Sequence, residues 1–446
     1  MSVVNAIPLI AAGDDGYNLT RSLRFRSSAS AYLSRTPATA SNRKTWTWSG
    51  WVKRGKLATQ QFVFSCYVGS SDANEFQMQF TSSDTIEISA YATVYRVTSQ
   101  VFRDPAAWYH IALAVDTTQA TAANRLLLYI NGVQVTAFST NNNPSQNTDF
   151  IINSANEHHI GYFTASVLYY DGYMAEVNFI DGQALAPTAF GTVNSYGVWQ
   201  PITYGGSYGN NGFRLPFTNN ASTTTLGLDF SPQGNNWTTN NISVTAGVTY
   251  DSMTDVPTLT SATAANFATL NPLIPSSALT NGNLNVPSLS FNATATQQVG
   301  SGKWYCEFTL NGGSSYNYFL GVYTPDLSTS YLAMGLCNGG NSPNIFSCNT
   351  NTNGTVTQPT GSRPTQPAVI GIKLDIGAGS IEFLVNGTVN GSITGVTNWQ
   401  SGKDWVFFAS NYTSTFGYQP LSANFGQQPF VNALPTGFLA LNTFNL

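Results

Sequence analysis

Apolar and polar residues alternate with a period of two along many short segments of this chain. In residues 369–375, isoleucine and leucine alternate with glycine and lysine; in residues 75–80, phenylalanine and methionine alternate with glutamate and glutamine. This period turns one side of a strand toward a core and the other side outward. An apolar period of 3.6 residues extends nowhere beyond about three turns. The pattern therefore predicts an all-β protein with very little helix.

Asn-Gly pairs mark the tightest turns between the predicted strands. Asn131-Gly132 follows the apolar segment 125–130, and Asn386-Gly387 follows the alternating segment 380–385. Both residue types accept a positive φ, which a two-residue hairpin requires. The sequence predicts antiparallel hairpins in both halves of the chain.

The N-terminal half contains a series of segments rich in aromatic and aliphatic residues. In chain order they are Ser22–Phe25, Ala31–Leu33, Trp46–Val52, Trp108–Leu113, Leu128–Val133 and Tyr173–Val177. In this order they resemble the laminin G/concanavalin A-like jelly roll, which is a sandwich of two antiparallel sheets. Residues 21–195 are therefore predicted to form a lectin-like sandwich.

The C-terminal half contains five further segments of this kind. They are Gly302–Glu307, Phe319–Val322, Val369–Ile372, Leu384–Gly387 and Asn424–Phe430. Their order resembles that of a SPRY domain. The resemblance implies a bent β-sandwich at residues 288–446 that binds partners through its loops and is not an enzyme.

Two segments fall outside the predicted sandwiches. Residues 196–287 are rich in turn-forming residues, and we expect them to pack as an extended connector. Their Gly234–Trp237 segment resembles the connector of tailed-phage structural proteins, in which a lectin-like sandwich precedes a SPRY-like one. Residues 1–20 are either a disordered tail or a docking segment, and the apolar Ile7–Ile10 favours docking.

Composition excludes several classes of function. Charged residues make up 9% of the chain and the net charge is −4, without a basic cluster, so nucleic acid is not an expected partner. Neither a signal peptide nor an apolar run of about 18 residues is evident, so we expect no membrane insertion.

Cys66 and Cys306 are expected in the core. Cys337 and Cys348 could pair across a hairpin, but their spacing leaves this open.

The chain offers few residues for catalysis or metal binding. Glu157, His158 and His159 are consecutive, but neighbouring residues of a strand point to opposite faces and cannot chelate one ion. His110 lies in an apolar strand and is expected to be a half-buried structural residue. We therefore predict no metal site, no cofactor and no catalytic histidine.

Glycosidases require two carboxylates about 5–10 Å apart. Glu87, Glu176 and Glu382 each stand singly between apolar residues and are expected to face solvent. No catalytic residue is predicted, and the protein is not expected to be an enzyme.

Sugar binding is the chemistry that the composition favours. Aromatic rings stack on the apolar faces of sugars, and amides bond their hydroxyls. Tyrosines predicted in loops are the candidate ligand-binding residues. They are Tyr67, Tyr162, Tyr169 and Tyr170 in the first sandwich, and Tyr316, Tyr318, Tyr331, Tyr412 and Tyr418 in the second.

The combined resemblance is to a bacteriophage tail fibre or a related virion protein. It implies a non-enzymatic receptor-binding protein on the virion, made in the host cytoplasm, that presents its loops to a host surface glycan or protein. We expect a closed homo-oligomer, a trimer, with residues 1–20 contacting other virion proteins. One alternative is an architectural virion component, such as a head decoration or tail assembly protein. A lower alternative is a polysaccharide depolymerase.

Overall fold

The structure is a computed structural model that describes residues 17–274, 278–286, 292–311, 318–324, 333–338, 343–348, 355–358, 364–396, 404–410 and 420–446. Nearly all of the regular structure in these residues is antiparallel β-sheet, which confirms the all-β prediction. The described residues divide into two compact units. The first comprises residues 17–245 and 249–260, and the second comprises residues 246–248 and 261–446.

The first unit is built from strands β1 to β20 and one short helix, α1 (Thr223–Leu226), which begins after the capping residue Ser222. Short 3₁₀ turns lie at Ser27–Ala29, Ala122–Asn124 and Pro187–Ala189. The strands are β1 Ser22–Phe25, β2 Tyr32–Arg35, β3 Thr45–Arg54, β4 Gln61–Tyr67, β5 Glu75–Phe80, β6 Ile86–Ser89, β7 Val94–Thr98, β8 Trp108–Asp116, β9 Leu126–Ile130, β10 Val133–Gln134, β11 Phe138–Asn141, β12 His158–Ile160, β13 Tyr162–Phe163, β14 Leu168–Tyr169, β15 Gly172–Asp181, β16 Gly191–Val193, β17 Trp199–Pro201, β18 Phe213–Leu215, β19 Thr238–Asn240 and β20 Ser252–Met253.

Two sheets of the first unit enclose its core. Sheet A has the strand order β10-β9-β8-β3-β15-β1-β20, with β18 also paired to β15; sheet B has the order β11-β7-β6-β5-β4-β12-β2-β19. Trp46 of β3 packs on Phe76 of β5 with ring centroids 5.4 Å apart, and Trp48 packs on Phe64 of β4. Cys66 is a free, buried core residue here, as predicted, and Cys306 is free and buried in the second unit.

The segment after residue 195 supplies strands to the first unit. Strand β18 pairs with β15, β19 pairs with β2, and β20 pairs with β1. The first unit therefore extends well past residue 195, to residue 260, and residues 261–287 of the predicted connector lie in the second unit where they are described.

Buried ion pairs hold residues 249–260 in place. The Asp251 carboxylate accepts hydrogen bonds from Arg24 at 3.1 Å and from Arg26 at 2.8 Å. Asp255 lies 2.7 Å from Lys53 Nζ and accepts a hydrogen bond from Trp108 Nε1 at 3.1 Å. Because the ends of these side chains are withdrawn from water, each cation depends on its carboxylate for compensation.

The second unit consists of strands β21 to β33. They are β21 Asn285–Val286, β22 Asn292–Thr294, β23 Lys303–Leu310, β24 Tyr318–Tyr323, β25 Ala333–Asn338, β26 Pro343–Cys348, β27 Thr355–Thr357, β28 Ala368–Asp375, β29 Ser380–Val385, β30 Thr388–Thr394, β31 Val406–Ser410, β32 Leu421–Asn424 and β33 Leu439–Ala440. The side chains of Cys337 and Cys348 are outside the described part, so their predicted alternatives stay open.

The strands of the second unit form two further sheets. Sheet C has the order β21-β32-β23-β28-β29-β30-β27, with β33 paired in parallel to β23; sheet D has the order β22-β31-β24-β25-β26. The predicted β28–β29–β30 meander is confirmed. Asn386 and Gly387 have φ of 48° and 85°, and Asn131 and Gly132 have φ of 48° and 81°. Both Asn-Gly hairpins thus adopt the left-handed geometry that their residues favour.

Loss of the Asp255 carboxylate should destabilise the first unit. Asp255→Ala leaves the buried Lys53 ammonium without this counter-charge, so we expect the free energy of unfolding to fall by about 3–5 kcal/mol. Urea denaturation measures the change. The control is Arg103→Ala: Arg103 pairs with Asp84 but its side chain is 56% exposed, so a loss below about 1 kcal/mol is expected. Equal losses in the two variants would contradict the assigned role.

Two buried histidines should make the fold sensitive to acid. Burial lowers the pKa of His110 to about 3 and that of His158 to about 4. Between these pKa values and about 6.5, the unfolded chain binds protons that the folded chain excludes. The free energy of unfolding therefore falls as the pH falls, by up to about 1.4 kcal/mol per pH unit for each histidine. Urea midpoints at about pH 7 and about pH 5 test this. His158→Gln should make stability depend less strongly on pH. The same pH dependence in this variant and in the unchanged protein would contradict the role of His158.

Candidate functional site

Sheet B turns one face toward the core and the other outward. Leu33, Phe64, Cys66, Met78 and Ile160 belong to the core cluster. Their neighbours along each strand point the opposite way, because side chains alternate across a sheet and directly paired residues share a side. We call the resulting surface the outer face of sheet B. It consists of Tyr32, Ser34, Phe62, Ser65, Tyr67, Glu75, Gln77, Gln79, Glu87, Ser89 and His159.

A short hairpin, β13–β14, lies over this face and brings three tyrosines together. The rings of Tyr162 and Tyr169 are stacked, with centroids 4.6 Å apart and planes 16° apart. Tyr32 of β2 packs against Tyr162, also with centroids 4.6 Å apart. All three rings are half-buried and keep part of their surface open to solvent. Two of the nine predicted candidates, Tyr162 and Tyr169, therefore lie in one aromatic cluster, together with Tyr32.

Contacts with the sheet fix the position of the hairpin. Ser65 Oγ donates a hydrogen bond to the Tyr162 carbonyl at 2.6 Å. Phe163 stacks on Phe62 with centroids 4.6 Å apart and meets the edge of Tyr67 at 5.7 Å. Tyr67, a third predicted candidate, thus lies beside the same hairpin, on the side that faces β5.

His159 forms the buried base of the aromatic cluster. Its ring meets Tyr162 edge-on, with centroids 5.0 Å apart, and its Nε2 lies 3.3 Å from a Glu157 carboxylate oxygen. Burial lowers the pKa of His159, which favours the neutral ring, whereas the Glu157 side chain is 58% exposed. This arrangement places an exposed carboxylate at the edge of the cluster.

The neighbouring histidine points the other way. His158 Nε2 accepts a hydrogen bond from the Asn153 amide at 3.0 Å on the core side of β12. The two histidines therefore do not converge, as the strand alternation predicts. Across the described ranges, no three His, Cys, Asp or Glu side chains gather into a group that could hold a metal ion.

Amide and carboxylate side chains form a hydrogen-bonded ladder on strands β5 and β6. Gln79 Nε2 donates to Gln77 at 3.2 Å and to Glu87 at 2.8 Å, and Ser89 Oγ donates to the same Glu87 oxygen at 2.8 Å. Gln77 in turn donates to Glu75. Desolvation raises the pKa of Glu75, with a smaller contribution from the charge of Asp72. We call Glu75, Gln77, Gln79, Glu87 and Ser89 the polar ladder; all of its members except Glu87 are buried.

The polar ladder contains two carboxylates on neighbouring strands. Glu87 pairs with Gln79, and Gln79 is four residues from Glu75 along β5. Four residues of strand separate the Cα atoms of Glu75 and Gln79 by roughly 13 Å. The side-chain amides of Gln77 and Gln79 bridge this gap and link the two carboxylates by hydrogen bonds. Glu87 was predicted to stand singly on its strand, whereas Glu75 of the neighbouring strand shares its face. The alternating polar residues of 75–79 were the available signal.

Two other predicted tyrosines are core residues, not loop residues. Tyr170 is fully buried, and its hydroxyl donates to the Lys53 carbonyl at 2.8 Å. Tyr318 is fully buried in β24. Neither ring can contact a ligand in this arrangement, because packing in the sheets removes it from the surface. Tyr316, Tyr331, Tyr412 and Tyr418 lie outside the described residues.

Two polar residues expected at or near solvent are buried instead. Glu176 lies at a bulge in β15 with φ of 47°, and its carboxylate is 2.6 Å from Arg214 Nε. His110 is fully buried rather than half-buried, because Trp51 and Trp199 cover its ring. Its Nε2 lies 2.9 Å from Ser49 Oγ. Both residues have structural roles in the first unit.

Comparison with solved structures finds similar folds at low sequence identity. Mouse laminin alpha1 chain domains LG4-5 match 97% of this chain and 99% of their own, at 8% identity and a TM-score of 0.31. A putative carbohydrate binding protein from Bacteroides ovatus matches 50% of this chain and 59% of its own, at 16% identity and a TM-score of 0.34. The TRIM65 PSpry domain matches 35% of this chain and 92% of its own, at 14% identity and a TM-score of 0.26. Scores of this size carry no argument about ligands.

The family comparison is limited to the first unit. A search of curated proteins finds no match. No helix in the described ranges is long and apolar enough to cross a membrane. Residues 27–189 match the Laminin_G_3 family, described as the concanavalin A-like lectin/glucanases superfamily. Residues 27–189 of the first unit are thus similar to the concanavalin A-like/laminin G fold.

Proposed function

We propose that this protein binds glycans through the outer face of sheet B. The observation that carries the proposal is the convergence of three half-buried tyrosines, Tyr32, Tyr162 and Tyr169, beside the exposed carboxylate of Glu157. Aromatic rings bind the apolar faces of sugar rings, and amide and carboxylate groups bond the hydroxyls. The aromatic cluster supplies the rings, and the exposed carboxylate of Glu157 at its edge supplies a polar group that can bond a hydroxyl.

The biological setting that we propose is host attachment by a bacteriophage. Support comes from the order of the lectin-like segments, the Gly234–Trp237 connector and the SPRY-like segments along the sequence, which resembles that of virion proteins. In this proposal the protein is made in the host cytoplasm and becomes part of the virion surface, where it serves as a tail fibre or receptor-binding protein. Residues 1–20 attach it to other virion proteins, and the glycan is a host surface receptor.

Removing the two stacked rings should weaken glycan binding. Tyr162→Ala combined with Tyr169→Ala deletes the stacking surface, and we expect affinity for a bound glycan to fall by about tenfold or more. A glycan array identifies the bound glycan, and titration calorimetry then measures the affinity of each variant.

The matched control is Tyr196→Ala. Tyr196 is 57% exposed and lies in the β16–β17 turn, away from sheet B, so its removal should leave binding unchanged. Equal losses in the two variants, or no loss in either, would contradict a role for the aromatic cluster. A protein that binds no glycan but still enters particles would favour the architectural alternative.

We also propose that the protein assembles as a closed homotrimer, because several tethered weak sites give usable avidity. Light scattering should give three times the chain mass of 47.9 kDa. Deletion of residues 1–16 should leave the trimer intact but prevent incorporation into particles. A monomer at micromolar concentration would contradict the first expectation, and normal incorporation of the truncated chain would contradict the second.

A further inference from the structure

We infer that the glycan bound at the aromatic cluster carries positively charged amino groups, as an amino sugar does, and that Glu157 pairs with one of them. The inference rests on the proposed function and adds the charge of the ligand and the residue that selects it. It follows from the exposure of Glu157, from the charges around it and from the three tyrosine rings beside it.

Glu157 carries a charge that the folded chain leaves available. Its side chain is 58% exposed, and among the ion pairs of the described residues it takes part only in the one with His159, at 3.3 Å. Burial lowers the pKa of His159, which favours the neutral form of that ring. The carboxylate therefore has a hydrogen-bonding neighbour but no cation to balance its charge, and a cation from outside the chain can take that place.

The charge of Glu157 acts on the aromatic cluster. Burial raises the pKa of Tyr32, and the negative charge of Glu157 raises it further. The ring of Tyr32 also meets that of His159, with centroids 5.6 Å apart. A ligand group that pairs with Glu157 would therefore lie next to the tyrosines that bind the sugar ring.

The tyrosine rings themselves favour a cation. The face of an aromatic ring carries partial negative charge, so it attracts an ammonium group that lies close to it. Tyr32, Tyr162 and Tyr169 are each half-buried, so each ring keeps part of its surface open. Three rings and one carboxylate thus form a site where an ammonium group is favoured over a neutral or an anionic group.

No lysine or arginine competes for this site among the residues that the structure describes. The hairpin 162–169 contains neither residue type, and strands β4, β12 and β19 contain none. Arg35 of β2 follows Ser34 of the outer face and therefore points to the opposite side. Its guanidinium donates to the Asn235 side chain and to the Asn211 carbonyl. A cationic ligand would meet no like charge here.

An amino sugar combines the two features that this site can recognise. Its ring has an apolar face that stacks on tyrosine, and its protonated amine donates hydrogen bonds to a carboxylate. N-acetylation of the amine removes the positive charge and leaves the sugar ring unchanged. The free and the acetylated sugar therefore differ in the property that Glu157 selects.

The experiment compares two oligosaccharides that share one backbone. Chitohexaose is N-acetylated and uncharged, whereas the glucosamine hexamer has the same linkages and free amines. Titration calorimetry at mildly acidic pH, where the amines are protonated, should show at least about fivefold tighter binding of the glucosamine hexamer. Added salt should narrow this difference, because it screens the attraction between the amine and the carboxylate.

A substitution that removes charge without changing size tests the role of Glu157. Glu157→Gln should remove most of the preference for the glucosamine hexamer, whereas Tyr162→Ala with Tyr169→Ala should weaken binding of both probes. The matched control is Asp104→Asn, which removes another exposed carboxylate of the first unit. Asp104 precedes β8 of sheet A, so the preference should stay unchanged. Far-ultraviolet spectra confirm that each variant is folded.

The outcomes separate this inference from the proposed function. Equal affinity for the two probes, dependent on Tyr162 and Tyr169, would overturn the charge selection and leave glycan binding in place. A glycan array that finds only glycans without free amines would do the same. A preference that survives Glu157→Gln, or that Asp104→Asn reduces equally, would overturn the role of Glu157. Failure of both probes to bind, together with an empty array, would overturn the proposed function and this inference with it.

Discussion

The ion pairs of Asp251 and Asp255 are the constraint on which the first unit depends. Asp251 pairs with both Arg24 and Arg26, and Asp255 pairs with Lys53, which belongs to the long central strand β3. Burying these cations without their carboxylates would be strongly unfavourable, so sheet A forms in this way only when residues 249–260 are in place. The partners are more than 200 residues apart in sequence. The end of the unit therefore stabilises strands from its beginning.

This dependence explains what could be predicted from the sequence and what could not. The alternating segments and both Asn-Gly hairpins follow from local rules, because side-chain period and backbone preference act within a few residues. Strands such as Thr238–Asn240 and Ser252–Met253 are too short to show a period. Pairing with distant strands and buried ion pairs determine where these strands lie. The turn-rich segment that contains them therefore has no local pattern that assigns it to the first unit.

The candidate site was likewise predictable from the sequence only in part. Tyr162 and Tyr169 were predicted because tyrosine is suited to sugar binding, but the adjacent Tyr170 points into the core. Tyr32 was missed because it lies in a strand and joins the cluster only when a distant hairpin folds over it. The polar ladder was missed because glutamine carries no charge and belongs to no catalytic motif. Its significance comes from hydrogen bonds between two strands.

The hairpin over sheet B combines fixed strands with an exposed loop. Its strands are held by Ser65 and Phe62, whereas residues 164–167 between them are exposed and belong to no strand. Val167 has φ of 53°, so the loop already contains an unusual backbone conformation. Insertions and exchanges in these four residues would alter the rim of the aromatic surface while the sandwich beneath stayed intact. In the proposed glycan-binding role, the loop is a place where ligand preference could change without any change to the core.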